Sequence, residues 1–303
     1  MTTPTLNLHV APSLSGLKKA LQAPEPQQMP VFLQEVMEPI RPCWETPMLR
    51  MGMADPSQDL ARIAAQRFLF YTPEQGIERG LQALEQLQQF QATEKSLERL
   101  EKAIDLLEPA KHGIQLQDLH FVFVLGDPER MTPPLYTGVG NVPGWILLMA
   151  YPTEHNLPRL SAITVHEFHH QVRFQHEPLF PQMTLGKYIV AEGLAEAFAA
   201  QLCGEENLGP WATTLQPAEL EAVKPRFAAA LNLSDFTEVR GYIFGDWASE
   251  SWGTPRLGIP DFAGYAVGYR MVQTYLSKTG KTITEATYTP WQEIIQDSGW
   301  FGL

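Results

Sequence analysis

The stretch His166-Glu167-Phe168-His169-His170 decides how the fold of this chain is interpreted. In an α-helix, residues four positions apart lie on one face, so His166 and His170 can direct imidazole nitrogens at one metal ion. Glu167 lies beside the first histidine, where its carboxylate can take a proton from a water at that metal. The H-E-x-x-H spacing therefore predicts a metal site with an adjacent base.

The residues around this motif favour a helix. The segment from Leu157 to Gln175 contains no glycine, and Pro158 stands where a first helical turn tolerates proline. Asn156 is a candidate N-cap. His169 faces a neighbouring side of the same helix, from which it could reach the edge of the site. Ordinary polar surface is the alternative for this histidine.

A second helix is predicted between Thr184, a candidate N-cap, and Gly204, a candidate terminating residue. Glu192 and Glu196 lie four positions apart on one face of this helix, among Ala, Leu and Phe residues. Two carboxylates on an apolar face are costly unless a cation meets them. A catalytic zinc usually takes three protein ligands, so one glutamate could complete the site. Solvated surface positions are the alternative for either residue.

Together, these segments resemble the gluzincin metallopeptidases, which carry H-E-x-x-H on one helix and a glutamate ligand on the next. More narrowly, the chain resembles the YjaZ-like family of predicted zinc-dependent proteases. The matching pieces are HEFHH at 166–170, AEGLAEAF at 191–198 and GYAVGYR at 264–270. The resemblance covers roughly residues 115 to 280.

The resemblance implies three zinc ligands, which are His166, His170 and Glu192. It implies that Glu167 is the general base and that Glu196 accepts a hydrogen bond from a ligand histidine, which fixes the tautomer. An exchange of roles between Glu192 and Glu196 stays open. Gly193 favours Glu192 as the ligand, because a missing side chain lets the two helices approach closely.

A third helix is predicted from Asp261 to Tyr275, with glycines four positions apart that permit close packing. Tyr265 and Tyr269 also lie four positions apart. Either phenol could donate to the oxyanion that develops on a scissile carbonyl, although core tyrosines with satisfied hydroxyls are equally expected. Arg270 is a competing candidate, either for a substrate carboxylate or for a structural pair with an acid.

Composition narrows the class of protein. The 303 residues are 44% hydrophobic and 18% charged, which suffices for a sizeable core and one or two domains. The formal net charge is −12, and an acidic chain without a basic cluster is a poor nucleic-acid binder. No run approaches the roughly 18 apolar residues of a membrane span. The N-terminal residues lack a signal-peptide pattern, so a cytoplasmic protein is expected.

The chain is predicted to divide into an N-terminal helical region, 1–113, and a zincin-like metallopeptidase domain, 114–303. Residues 119–125 and 145–150 are rich in β-forming residues, and a turn-prone stretch, 137–144, leads into the second of these strands. The expected fold class is therefore α+β and mostly helical. The resemblance implies a gluzincin-like core in which a small sheet precedes the H-E-x-x-H helix.

Two segments are expected near the substrate. An edge strand binds the substrate backbone in gluzincin-like folds, and Trp145–Ala150 is predicted to be that strand. A plain buried strand is the alternative. Residues 245–260 are predicted to form a long loop close to the cleft.

The predicted function is hydrolysis of peptide bonds by a zinc-activated water, with Glu167 as general base. The expected substrate is an extended peptide or an unfolded protein segment. The first alternative is a metal-dependent hydrolase of a non-peptide amide. The second is a non-catalytic, metal-stabilised binding or regulatory protein. Glu167 argues against the second alternative, because a structural zinc site needs no base and usually has four protein ligands.

Overall fold

The computed structural model describes residues 6–50 and 59–302, and the chain forms two compact units. The first unit comprises residues 1–100 and 116–167, and the second comprises residues 101–115 and 168–303. The secondary structure is mostly helical with one small sheet, as predicted for the α+β class. Within the described residues, no helix is long and apolar enough to cross a bilayer.

The first unit contains a four-stranded sheet in the order β1-β2-β4-β3. Its strands are β1 (Asn7–Val10), β2 (Asp118–Leu125), β3 (Tyr136–Val142) and β4 (Trp145–Ala150). The parallel pairs are β1 with β2 and β2 with β4, whereas β3 is antiparallel to β4. The predicted strands β2 and β4 are confirmed. Strand β1 was not predicted, because four residues give too short a pattern to separate from a loop.

Strand β4 does not lie at the border of this sheet. Its Leu148 is paired with Phe123 of β2 on one side and with Gly138 of β3 on the other. The prediction that Trp145–Ala150 is the substrate-binding edge strand is therefore wrong. The error lies in residues 137–144, which read as a turn because they contain three glycines and a proline, but which largely form the border strand β3.

Within the described residues, six α-helices precede β2, and local sequence explains the start and the buried side of α5. They are α1 (Ser13–Gln22), α2 (Gln28–Phe32) with a following π-helical turn (Leu33–Met37), α3 (Arg41–Arg50), α4 (Leu60–Arg67), α5 (Ile77–Gln89) and α6 (Ala92–Leu107). A short 3₁₀-helix, Pro73–Gln75, precedes α5 and begins with a capping box in which Thr72 Oγ1 accepts a hydrogen bond from Glu74 N. The sequence of α5 places its apolar residues on one side, and Ala83, Leu84 and Leu87 are buried there.

Helix α7 (Leu160–His176) carries the H-E-x-x-H motif and follows a 3₁₀-turn, Leu157–Arg159. Residues 162–173 are all buried, so α7 is enclosed on every side. Asn156 does not cap α7 as predicted. Its side-chain amide accepts a hydrogen bond from Thr153 N, and it donates to the carbonyl oxygens of Pro134, Leu135 and Tyr151. This buried amide therefore ties together the backbone at the ends of β3 and β4.

The second unit is helical in its described part. Its further helices are α8 (Leu185–Cys203), α9 (Pro210–Thr213), α10 (Pro217–Ala230), α11 (Phe236–Phe244), α12 (Asp246–Ser251), α13 (Ala263–Thr279), α14 (Ile283–Thr287) and α15 (Trp291–Ser298). Two 3₁₀-turns, Pro109–His112 and Glu205–Asn207, complete the set. The predicted ends of α8 are confirmed, since Thr184 Oγ1 accepts from Lys187 N and Gly204 terminates the helix at a φ of 90°.

Glycines set the distance between α8 and α13. A Cβ on Gly193 would overlap the carbonyl oxygen of Gly268, and a Cβ on Gly268 would overlap the carbonyl oxygen of Ile189. The close packing predicted for the glycines of α13 is therefore confirmed. The sequence argument assigned Gly193 to an approach between α8 and the H-E-x-x-H helix, but the structure places this glycine against α13.

The segment 245–260 is not one continuous loop. Residues Asp246–Ser251 form the short helix α12. The Asp246 carboxylate accepts hydrogen bonds from the backbone nitrogens of Leu257 and Gly258, at 2.8 and 3.0 Å. One side chain thus closes the remaining nine residues, 252–260, back onto the start of α12.

Candidate metal centre

Three side chains converge where the sequence predicted a metal site. His166, His170 and Glu192 each offer one ligand atom, and these atoms all lie within 4.8 Å of one another. His170 Nε2 is 3.4 Å from Glu192 Oε2. Two zinc–ligand bonds of about 2.0–2.1 Å at a tetrahedral angle place their donor atoms about 3.4 Å apart. The group could therefore hold one zinc ion.

The surroundings of this group favour a bound cation. Its three residues are between 4% and 6% exposed. A carboxylate so far removed from water loses its hydration and is stabilised only by hydrogen bonds or a positive charge. Two helices supply the three residues. His166 and His170 lie one turn apart on α7, and Glu192 lies in the buried middle of α8.

Glu167, the predicted base, is 6% exposed and is crossed by strand β3. A Cβ on Gly138 would lie 2.5 Å from both Cγ and Oε1 of Glu167. A Cβ on Gly140 would overlap the Glu167 carbonyl oxygen and would lie 2.8 Å from Oε2. Both glycines are thus required for the strand to pass so close to the carboxylate. Sequence reasoning missed them, although glycine inside a strand is a known sign of close backbone approach.

Glu196, the predicted supporting acid, is 2% exposed and accepts a hydrogen bond from a tryptophan of α9. The distance from Trp211 Nε1 to Glu196 Oε1 is 2.6 Å. The predicted hydrogen bond between Glu196 and a ligand histidine stays a prediction. Trp211 was missed by sequence reasoning, because nothing in the local pattern near residue 211 points to an acid on another helix.

The two candidate tyrosines of α13 lie in different surroundings. Tyr269 is 1% exposed, and burial raises the pKa of its phenol, with the Glu205 carboxylate adding to that shift. Tyr265 is only partly buried. Its ring centroid lies 6.4 Å from that of Trp211 and 5.8 Å from that of Phe244. Only Tyr265 therefore combines contact with the Trp211 side chain and access to solvent.

Two other polar candidates make structural contacts. Arg270 Nη1 lies 3.3 Å from Glu205 Oε1 and 2.8 Å from Gln273 Oε1, so the structural-pair interpretation of Arg270 describes what is observed. His169 is 0% exposed, and its Nε2 lies 3.0 Å from Thr287 Oγ1 on α14. The interpretation of His169 as ordinary polar surface is wrong, because the helix that carries it is buried on every side.

Most of the chain matches a family of related proteins. Residues 94–296 match the model of a family described as "Predicted Zn-dependent protease (DUF2268)". This chain belongs to that family. The matched segment includes α7, α8 and α13 and therefore every candidate residue of the metal centre. The resemblance to the YjaZ-like proteases is thereby confirmed.

Two relatives come from Bacillus subtilis (strain 168). The uncharacterized protein YjfC is 32% identical over 299 residues, which cover 98% of this chain and 99% of YjfC. The uncharacterized protein YjaZ is 27% identical over 134 residues, or 43% of this chain and 48% of YjaZ. No solved structure matches the chain significantly.

Proposed function

We propose that this chain is a zinc-dependent metallopeptidase with a gluzincin-like core. The observation that carries the proposal is the buried group of His166, His170 and Glu192 with Glu167 next to it on α7. When bound there, zinc supplies a Lewis acid that polarises a carbonyl oxygen and lowers the pKa of a coordinated water toward neutrality. The family description, a predicted zinc-dependent protease, supports the same class of reaction.

Glu167 acts as the general base in this proposal. Its carboxylate takes a proton from the attacking water and later delivers that proton to the leaving amine. The contact with Gly138 and Gly140 supports this role, because two glycines of β3 leave room for the carboxylate while restricting its movement. A base held in one position needs no reorientation during the reaction, which favours a fast proton transfer.

Glu192 and Glu196 have separate roles. We assign Glu192 as the third ligand, because its Oε2 lies 3.4 Å from His170 Nε2. We assign Glu196 to positioning, because one of its carboxylate oxygens already accepts a hydrogen bond from Trp211. A buried carboxylate one turn after a ligand also offsets part of the positive charge of the metal and its histidines.

Tyr265 is the better candidate for stabilising the oxyanion. Tyr265 is only partly buried and its ring lies beside Trp211, whereas Tyr269 is 1% exposed. A phenol can donate one hydrogen bond to the charge that develops in the transition state.

The substrate is an extended peptide or an unfolded protein segment, bound along β3 rather than β4. Strand β3 borders the described sheet and its Gly138 lies against the base, so a peptide that adds along β3 would be held next to Glu167. Main-chain pairing of this kind makes few demands on substrate side chains. We keep residues 114–303 as the proposed metallopeptidase domain and 1–113 as an accessory region, although β1 of that region joins the sheet.

Metal analysis combined with a cleavage assay tests the proposal. Plasma-emission analysis should find one zinc per chain, and His166→Ala should lose most of it. The zinc-loaded protein should cleave members of a peptide library, and Glu167→Gln should keep the zinc and lose cleavage, since an amide keeps the shape of the side chain but is no base. Turnover retained by Glu167→Gln would exclude the base mechanism. Zinc binding without cleavage of any peptide or unfolded protein would leave the metal-stabilised binding protein as the better description.

A further inference from the structure

Arg240 of α11 lies in an aromatic environment. Its guanidinium carbon is 3.7 Å from the ring centroid of Trp252, 5.3 Å from that of Phe236 and 5.6 Å from that of Phe244. The side chain is partly exposed, so one side of the planar group is covered by rings and solvent can still reach it. Stacking on aromatic faces offsets part of the cost of removing a guanidinium from water.

Among the described residues, Arg240 is surrounded by rings rather than by acids. Within residues 6–50 and 59–302, no carboxylate lies at ion-pair distance from Arg240, and burial lowers the pKa of its guanidinium without an opposing carboxylate. The chain has 34 acidic residues against 22 basic ones, so acids are abundant. Arg173 and Arg270, for comparison, pair with Glu177 and Glu205. A partly buried arginine that has rings but no acid retains its full capacity to bind an anion.

Neighbouring side chains connect Arg240 with the buried carboxylates of α8. The Phe244 ring, which lies 5.6 Å from the guanidinium carbon, is 5.8 Å from the Tyr265 ring, and the phenols of Tyr188 and Tyr265 partly offset the lowering of the Arg240 pKa by burial. Tyr188 precedes Glu192 by one turn on the same face of α8. Tyr265 lies beside Trp211, the donor to Glu196. Arg240 is thus linked to Glu196 through the neighbouring rings of Phe244, Tyr265 and Trp211.

The side chains near Arg240 are more exposed to solvent than the carboxylates of α8. Tyr188, Arg240 and Tyr265 are each partly exposed, whereas Glu192 and Glu196 are buried. Helix α11, which carries Arg240, packs against both α8, which carries Tyr188, and α13, which carries Tyr265. Arg240 is thus more accessible to solvent than the carboxylates, as a residue that binds an incoming substrate must be.

We propose that Arg240 binds a carboxylate of the substrate and so makes the enzyme selective for peptides that carry one a few residues from the scissile bond. The inference rests on the proposed peptidase function. A guanidinium presents two parallel N–H groups that match the two oxygens of a carboxylate. The carboxylate is either the C-terminal group of a peptide or the side chain of an aspartate or glutamate. Because the chain carries a net charge of −12, such selectivity requires a local cation of this kind.

Binding measurements separate this proposal from catalysis. The zinc-loaded Glu167→Gln protein is titrated by calorimetry with pooled random hexapeptides in three forms. The first form has a free C-terminal carboxylate and no internal acid, the second is its C-terminal amide, and the third is an amide with one internal glutamate. The same pools are titrated against the protein that also carries Arg240→Gln, Arg240→Lys or Lys224→Gln.

Lys224→Gln is the matched control. Lys224 also lies over a tryptophan, with its Nζ 4.7 Å from the ring centroid of Trp300, but it has an acidic partner in Glu221. Arg240→Gln should weaken binding of one carboxylate form about tenfold, since a charge-assisted hydrogen bond is lost. Binding of the plain amide should not change, Arg240→Lys should retain part of the preference, and Lys224→Gln should retain all of it.

The outcomes distinguish the possible sources of the carboxylate. A loss confined to the free C-terminal form indicates an exopeptidase-like anchor, and a loss confined to the glutamate form indicates recognition of an acidic side chain. Equal binding of the acid and amide pools by the proteins with and without Arg240→Gln would overturn the Arg240 proposal, even if the enzyme cleaves peptides. If the preference depends on Arg240 but the protein with its native Glu167 cleaves no peptide, the peptidase function is refuted while the carboxylate site remains supported.

For the active enzyme, Arg240→Gln should raise KM for carboxylate peptides about tenfold with little change in kcat. An interaction of equal strength in the ground state and the transition state has this effect. A loss in kcat alone, with KM unchanged, would contradict a binding role.

Discussion

Gly138→Ala is expected to displace the carboxylate of Glu167 while leaving the metal ligands in place. The new Cβ would lie 2.5 Å from both Cγ and Oε1 of Glu167, whereas ordinary contacts lie at 3.4–4 Å. One of the two groups must therefore move by about 1 Å. Gly138 is paired with Leu148 of the central strand β4, so the flexible glutamate side chain moves more readily than the strand.

The expected effect is large for catalysis and small for stability. A displacement of about 1 Å in a catalytic group costs about 100-fold in rate. Overpacking of this size lowers the free energy of unfolding by about 1–3 kcal/mol. The assay is steady-state cleavage of a library-derived peptide by the zinc-saturated variant, together with its zinc content and melting temperature. We expect kcat to fall about 100-fold with one zinc still bound.

Two further variants separate this mechanism from general damage. Val139→Ala alters the neighbouring residue, whose side chain faces the other side of β3, so kcat should change little. In Gly140→Ala the Cβ would overlap the Glu167 carbonyl oxygen, so the backbone of α7 or of β3 must move rather than a flexible side chain. That variant should lose zinc and stability along with activity. Full kcat in Gly138→Ala would refute the reasoning, and so would loss of its zinc, because the effect would then act through the metal.

The remaining predictions concern α8 and its partners. Glu192→Ala should abolish zinc binding, whereas Glu196→Ala should weaken zinc affinity only about 10- to 100-fold, as expected of a residue that positions a ligand; the opposite result, measured by metal competition, would exchange their roles. Trp211→Phe should lower the free energy of unfolding by about 1–3 kcal/mol in a denaturant titration, because it removes the Trp211 hydrogen bond to a buried carboxylate oxygen of Glu196. Gly193→Ala should lower the melting temperature, because its Cβ would overlap the carbonyl oxygen of Gly268, and an unchanged melting temperature would show that α8 and α13 separate at no cost.

The sequence by itself determined the parts of the site that lie within single elements. The H-E-x-x-H spacing places His166 and His170 on one face of α7, and the Glu192–Glu196 spacing does the same on α8. The cap at Thr184 and the two long strands β2 and β4 were also predicted. These features depend on hydrogen bonds and side-chain periods that repeat over a few residues, so they are readable from a short stretch.

Only the tertiary structure decided the order of the strands in the sheet and which side chains of other helices surround the candidate ligands. β4 became a central strand because residues 136–142 pair with it, and no local pattern distinguishes a glycine-rich strand from a turn. Trp211 of α9 donates to the Glu196 carboxylate of α8, and Arg240 of α11 stacks near the Phe244 ring, which contacts Tyr265 of α13. Such contacts depend on how whole helices and strands pack, and that choice is made by the burial of surfaces far apart in the sequence rather than by neighbouring residues.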